Sequence, residues 1–323
     1  MSNNTVFTPP FDVDMVYLWV DGSDPSWRAK KAAISGEAIL HDNDGTDCDG
    51  RYVDNDELRY SLRSVELYAP WIRRIYIVTD NQLPLWLDTS NPRIRIVDHS
   101  EILPPEALPT FNSTVIEHAL HRIPGLAEHF LYANDDMFFN RPVQPENFFT
   151  ADGRPIARMN RRPMRKLTLF LKEKLLGKPV SNYNLTIQNS AGLVERKYGR
   201  YFGAKTHHNI DAYRRSDYEH AYVVFKEEID AVMCNHLRSD SDIQRNLYSY
   251  VAIAEGHAKL EYVSQRTSFR LHIDKPERYE KLERYNPMLF CLNDSQYVKP
   301  EQRLLVARFL KRRFPQPSSF EKK

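Results

Sequence analysis

The chain has 323 residues, 41% of them hydrophobic, enough to bury a full core as one large domain or a domain with an insertion. Its 45 basic and 43 acidic residues leave a formal charge of +2, which excludes the bulk positive field of a nucleic-acid binder and makes any basic footprint local. No apolar run approaches a membrane span, residues 1–10 lack the basic and apolar regions of a secretion signal, and the three cysteines, Cys48, Cys234 and Cys291, lack metal-ligand spacing and read as reduced thiols.

In chain order, residues 15 to 20 form an apolar run with β-branched and aromatic side chains, read as a buried strand that ends in Asp21-Gly22-Ser23-Asp24. The carboxyl end of such a strand is where an open α/β sheet binds ligands. Asp21, Gly22 and Asp24 are therefore candidates to contact substrate or to hold the strand end, with the glycine permitting close backbone approach. Residues 41 to 56 are rich in Asp, Asn and Gly, but the glycine and glutamate that a calcium loop needs are out of place, so a mobile acidic loop is expected. Asp54 and Glu57 have capping-box spacing, and a helix follows to about Tyr68, stopped by Pro70, with Arg59 and Arg63 at i, i+4 on one face.

Strands follow at 75–79 and 94–97, and Thr114 with Glu117 suits a helix start before Pro124-Gly125. The strand at 130–133 then runs into Asn134-Asp135-Asp136. Strands alternating with helices over the first 140 residues imply a mostly parallel sheet with crossovers. Paired aspartates at the end of a buried strand suit Mg²⁺ or Mn²⁺ on a diphosphate, which points to nucleotide-sugar chemistry. From Arg158 to Lys178 there are eight basic residues against one acidic, with Leu167, Phe170, Leu171 and Leu175 as an apolar stripe. This predicts an amphipathic basic helix, either packed by one face on the core or attached to an anionic membrane surface or polyanionic acceptor. Residues 218–257 read as largely helical, and Glu301 to Arg313 as a last helix.

Several of these stretches resemble the Stealth family of sugar-1-phosphate transferases. Asp14 to Asp24 is similar to its first conserved block. The second is matched by Asn55 to Phe138, including Glu57-Leu58-Arg59-Tyr60-Ser61-Leu62-Arg63-Ser64, Ala69-Pro70-Trp71, Leu108 to Ser113 and Asn134-Asp135-Asp136. His207-His208 with Arg214 and Leu237-Arg238-Ser239-Asp240 resembles the third, and Cys291-Leu292-Asn293-Asp294 with Phe314 to Glu321 the fourth. Asn209 and Ile210 stand where the family usually has a proline, which leaves the choice between the two histidines open. Position 21 is Asn in some relatives, so Asp21 need not be an acid catalyst.

The resemblance implies a glycosyltransferase-A-like, mostly parallel nucleotide-sugar-binding α/β sheet with a helical second half. The expected layout is a single catalytic domain over 1–323: a nucleotide-sugar core at 11–140, a basic insertion at 141–200, and a helical part at 201–323 that completes the active site. It further implies attack of an acceptor hydroxyl on the β-phosphorus of a nucleotide diphosphosugar, giving a sugar-phosphate diester and a nucleoside monophosphate. Asp135 and Asp136 would hold Mg²⁺ or Mn²⁺ while Asn134 orients a carboxylate or touches substrate. His208, or else His207, would be the general base, with Arg238 and Arg63 clamping phosphates. Asn293 and Asp294 would fold back to the sugar or metal. The expected partners are a UDP-N-acetylhexosamine donor and a polysaccharide or lipid-linked oligosaccharide acceptor of capsule or exopolysaccharide synthesis, with no nucleic acid. The expected location is cytoplasmic, with peripheral contact at the inner face of the membrane. A metal-dependent glycosyltransferase that releases nucleoside diphosphate is the alternative, and a non-catalytic polysaccharide-binding protein of a capsule machinery is the second.

Overall fold

A computed structural model describes residues 10–36, 56–162, 164–177, 180–294 and 298–323. The acidic stretch 41–55, with Cys48 and the proposed cap Asp54, lies outside the described residues. Strand β1 (Val13–Leu18) is followed by α1 (Pro25–Ser35) and α2 (Glu57–Tyr68), then by β2 (Ile75–Thr79), β3 (Ile94–Asp98), α3 (His99–Ile102), α4 (Ser113–His118) and β4 (His129–Asn134). Helix α1 starts where Asp24 accepts hydrogen bonds from the amides of Ser26 and Trp27, with Pro25 in the first turn. Helix α4 starts two residues earlier than a Thr114 cap would place it, because Asn112 caps it instead.

The central sheet has the order β3-β2-β1-β4 with all pairs parallel, and β8 (Asp211–Arg214) adds an antiparallel edge next to β4. Leu18 of β1 is level with both Val78 and Asn134, so the three strands reach their carboxyl ends together. Side chains alternate across β1: Val16 and Leu18 join one apolar cluster, while Met15 and Tyr17 join another with Leu58, Leu62 and Val65 of α2. Burial on both faces explains the near-continuous apolar runs of these strands.

Strand β5 (Met137–Phe139) leaves β4 at once through Asp135-Asp136. Next come β6 (Ile156–Asn160), α5 (Arg165–Leu176), α6 (Asn182–Tyr198) and β7 (Lys205–Thr206). After β8 the chain forms α7 (Arg215–Val224), α8 (Lys226–Met233) and α9 (Asn246–Ala254), then β9 (Lys259–Tyr262), β10 (Ser268–His272), α10 (Pro276–Tyr285), β11 (Leu289–Asn293) and α11 (Pro300–Arg313). The second half is therefore mixed rather than simply helical, with two small sheets, β10-β11-β5 and β7-β6-β9. Stacked Phe138 and Phe290, packed against Phe309 and Phe314, fix the first of these against α11.

The basic stretch is divided between elements. Arg158 is buried in β6 with its guanidinium over Phe148, and Arg165 is buried at the start of α5, donating to the Asn184 carbonyl. The apolar stripe of α5 faces outward: Leu167 is 47% exposed, Phe170 56% and Leu175 73%.

Candidate active site

The turn after β4 is held by its neighbours. Asp135 Oδ1 accepts from the Asp136 amide at 3.1 Å, and the Leu292 amide of β11 donates to the Asp136 carbonyl at 2.9 Å. The β5–β11 pairing thus sets Asn293 and Asp294 beside the aspartates, despite their distance along the chain. A cavity of about 320 Å³ opens here, lined by Asn134, Asp135, Asp136, His208, Arg238, Asn293 and Asp294.

Within it, Asp136 Oδ2 lies 3.4 Å from His208 Nε2, while Asp136 Oδ1 is buried without a hydrogen-bond partner. Asn293 Nδ2 approaches His272 Nδ1 at 3.4 Å, and Asp294 is ion-paired with Arg303 of α11. Arg238 is exposed and donates to Ser113 Oγ at 3.2 Å. Its loop is pinned by Asp242, whose carboxylate accepts from Asn112, Asn235 and the Ser239 amide.

A buried polar chain that the sequence did not reveal runs from Asn134 in this cavity to His207 beside it. The Tyr132 hydroxyl lies 2.9 Å from Asn134 Oδ1 and 2.8 Å from Glu117 Oε1, so its single proton serves one acceptor at a time. Arg245 donates from Nη1 to Glu117 at 3.2 Å and from Nη2 to Asp211 at 2.8 Å. Asp211 in turn meets His207 Nε2 at 3.2 Å. Burial pushes the Glu117 carboxyl up against the pull of Arg245. Asp211 is buried too, yet His207 and Arg245 hold it below the usual carboxylate range. Glu117 and Arg245 both line the cavity. The sequence offers only a charge near apolar residues, Glu117 between Ile116 and Leu120 and Arg245 within the polar Gln244-Arg245-Asn246 between Ile243 and Leu247, and neither names its partner.

Two expected site residues are engaged elsewhere. Arg63 is buried in a bidentate pair with Glu321, at 2.7 and 2.8 Å, and donates to the Phe314 carbonyl at 2.8 Å, so it ties α2 to the segment after α11 instead of facing the cavity. His207 is buried against Asp211, which leaves His208 as the histidine beside Asp136. Asp21, Gly22 and Asp24 lie outside the cavity lining: Asp21 Oδ1 accepts from Ser23, and Asp24 caps α1 and is held low by the Gln82 amide. Gln82 bonds to both Asp21 and Asp24, and the Gly22 carbonyl accepts from Arg28.

Among the described residues no group of three or more His, Cys, Asp or Glu side chains is placed to hold a metal ion. The oxygen donors still fit a hard cation. Mg²⁺ needs only one or two protein carboxylates alongside waters and phosphate oxygens, and the unpartnered Asp136 Oδ1 is a buried acceptor without a donor.

By its topology this is an open α/β protein with its crevice at the carboxyl edge of the parallel strands, the place such sheets offer to ligands. Stealth protein conserved regions 1, 2 and 4 match residues 11–38, 51–157 and 281–323. The chain is 34% identical to the capsular polysaccharide phosphotransferase fcs1 of Haemophilus influenzae, over 90% of this chain and 80% of that protein. It is 38% identical to an exopolysaccharide phosphotransferase of Streptomyces coelicolor and 37% identical to the exopolysaccharide phosphotransferase CpsY of Mycobacterium tuberculosis, each over 97% of this chain. The chain belongs to the Stealth family. It spans about half the length of those two exopolysaccharide enzymes, 53% and 58%. Among solved structures, the galactosyltransferase LgtC in complex with donor and acceptor sugar analogs aligns at a TM-score of 0.45 and 12% identity, over 95% of this chain and 96% of that one.

Proposed function

We propose that this chain transfers a sugar-1-phosphate from a nucleotide diphosphosugar, such as UDP-N-acetylhexosamine, to a hydroxyl of a capsular or exopolysaccharide acceptor, releasing nucleoside monophosphate. The supporting observation is the convergence of Asp135-Asp136, His208, Arg238 and Asn293 from four distant segments on one cavity, in a chain of this family. His208 takes the proton of the attacking hydroxyl, since imidazole accepts protons near neutral pH, and Asp136 orients the ring. Arg238 at the cavity mouth presents its guanidinium fork to phosphate oxygens. Asp135 and Asp136 would hold Mg²⁺ or Mn²⁺, which when bound neutralises diphosphate charge. The Tyr132–Glu117–Arg245–Asp211–His207 chain keeps Asn134 and His208 in register.

Donor labelled with ³²P at the β-phosphate tests this reading. The label is expected in the saccharide product. Label found in free nucleoside diphosphate would assign the chain to ordinary glycosyl transfer instead. We further propose that the outward apolar face of α5, flanked by lysines and arginines, makes a peripheral contact with an anionic membrane. Among the described residues no helix is long and apolar enough to cross one.

A further inference from the structure

Beside the main cavity is a second one of about 170 Å³, and His208 lines both. Arg162, Lys205 and Arg270 border it, together with Asn160 and Ser268, and among the described residues its lining holds no carboxylate. The cations are brought together by the backbone. β6 pairs with β7, placing Asn160 opposite Lys205, and a Cβ at Gly203 would stand 2.5 Å from the Arg162 carbonyl oxygen, so only glycine lets the two segments lie this close. Lys205 Nζ rests 5.0 Å from the ring of Tyr183, which itself lines the main cavity. Burial and the nearby Arg270, Arg162 and Arg165 lower the Lys205 ammonium to about 8.

Such a cluster attracts an anion, and two guanidinium forks with one ammonium match a phosphate better than a carboxylate. We propose that Arg162, Lys205 and Arg270 form a phosphate subsite that holds one phosphodiester oxyanion of a saccharide acceptor already carrying a sugar phosphate. This rests on the transfer reading above, whose product is itself a phosphodiester. Volume separates the two ligands: the main cavity reaches the range of about 300 Å³ and more that small-molecule sites occupy, whereas the second takes a single group. The shared His208 gives the same assignment, because the attacking hydroxyl must lie within reach of both that base and the donor phosphorus, opposite the leaving nucleoside monophosphate, and the rest of the acceptor then extends past His208 into the second cavity.

Two arms test the subsite. In the first, the full chain and Lys205→Gln and Arg270→Gln variants are assayed on a neutral oligosaccharide and on the same oligosaccharide with one internal phosphodiester. The expected result is a preference for the phosphodiester acceptor in kcat/KM that falls about tenfold in each variant, with Lys205→Arg restoring most of it. A preference that does not change, or a donor KM that rises while the preference stays, overturns the assignment; the latter would mean that the oxyanion belongs to the donor. In the second arm, inorganic phosphate is titrated against thermal unfolding. Stabilisation of the wild type that is lost in Lys205→Gln supports the subsite even if no nucleotide sugar is turned over, which separates its fate from that of the transfer reading. Equal stabilisation of both proteins, or none of either, sinks it.

Discussion

Asp136 carries the sharpest demand at the scale of single residues, with one oxygen facing His208 and the other buried without a donor. Asp136→Asn keeps the volume and removes the charge, so transfer should fall at least about 10²-fold at saturating Mg²⁺ or Mn²⁺, with an unchanged circular dichroism spectrum. Activity within a few fold of wild type would remove it from the site. The two histidines should separate by readout. His208→Ala should lower kcat by roughly 10²- to 10⁴-fold while the melting temperature holds. His207→Ala should cost about 1 to 3 kcal/mol of stability, because it strips a buried partner from Asp211. Asp135 and Asp136 were legible as candidates in the sequence because they directly follow an apolar strand within a stretch that resembles the family's second block. Glu117 and Arg245 were not: a buried charge is recognisable only with its partner, and theirs lie across the fold.

At the scale of elements, α2 was read almost to the residue, since its apolar spacing and Pro70 are local signals, but the job of its arginines was not. Arg63 and Arg59 both meet Glu321, far along the chain, and no local pattern encodes that. Although burial opposes it, Arg63 holds the Glu321 carboxyl at about 2, below its usual 4.5. A depressed carboxylate stabilises the fold fully above its unfolded value and loses that contribution as acid protonates it. The contribution should therefore fade as pH drops from 4.5 towards 2. Arg63→Met leaves the Glu321 carboxylate only Arg59 and Ser318, so it should cost about 1.5 to 3 kcal/mol at neutral pH in urea titration and flatten part of the loss over that acid window. An unaltered acid profile would place the linkage elsewhere. For α5, periodicity identified the stripe but not which way it faces, because outward and inward stripes have the same spacing. Phe170→Ser and Leu175→Ser should each weaken sedimentation with anionic vesicles by about tenfold or more and leave the melting temperature unchanged. A lower melting temperature instead would mean that the stripe packs on the protein.

Across the whole molecule, the parallel sheet was readable from alternating elements, whereas the site was readable only in pieces, since its closure depends on β5 pairing with β11. That pairing also has a consequence for biosynthesis. A ribosome finishes Met137–Phe139, wholly apolar and buried in the mature fold, long before it reaches Leu289–Asn293. Until then this strand lacks one neighbour and Asp136 lacks the amide of Leu292 that fixes its backbone. The nascent chain therefore holds an open, sticky edge and an unfinished cavity, a natural target for chaperones that cover apolar strands. Completion of the cavity is therefore a late event of synthesis, not a property of the first half alone.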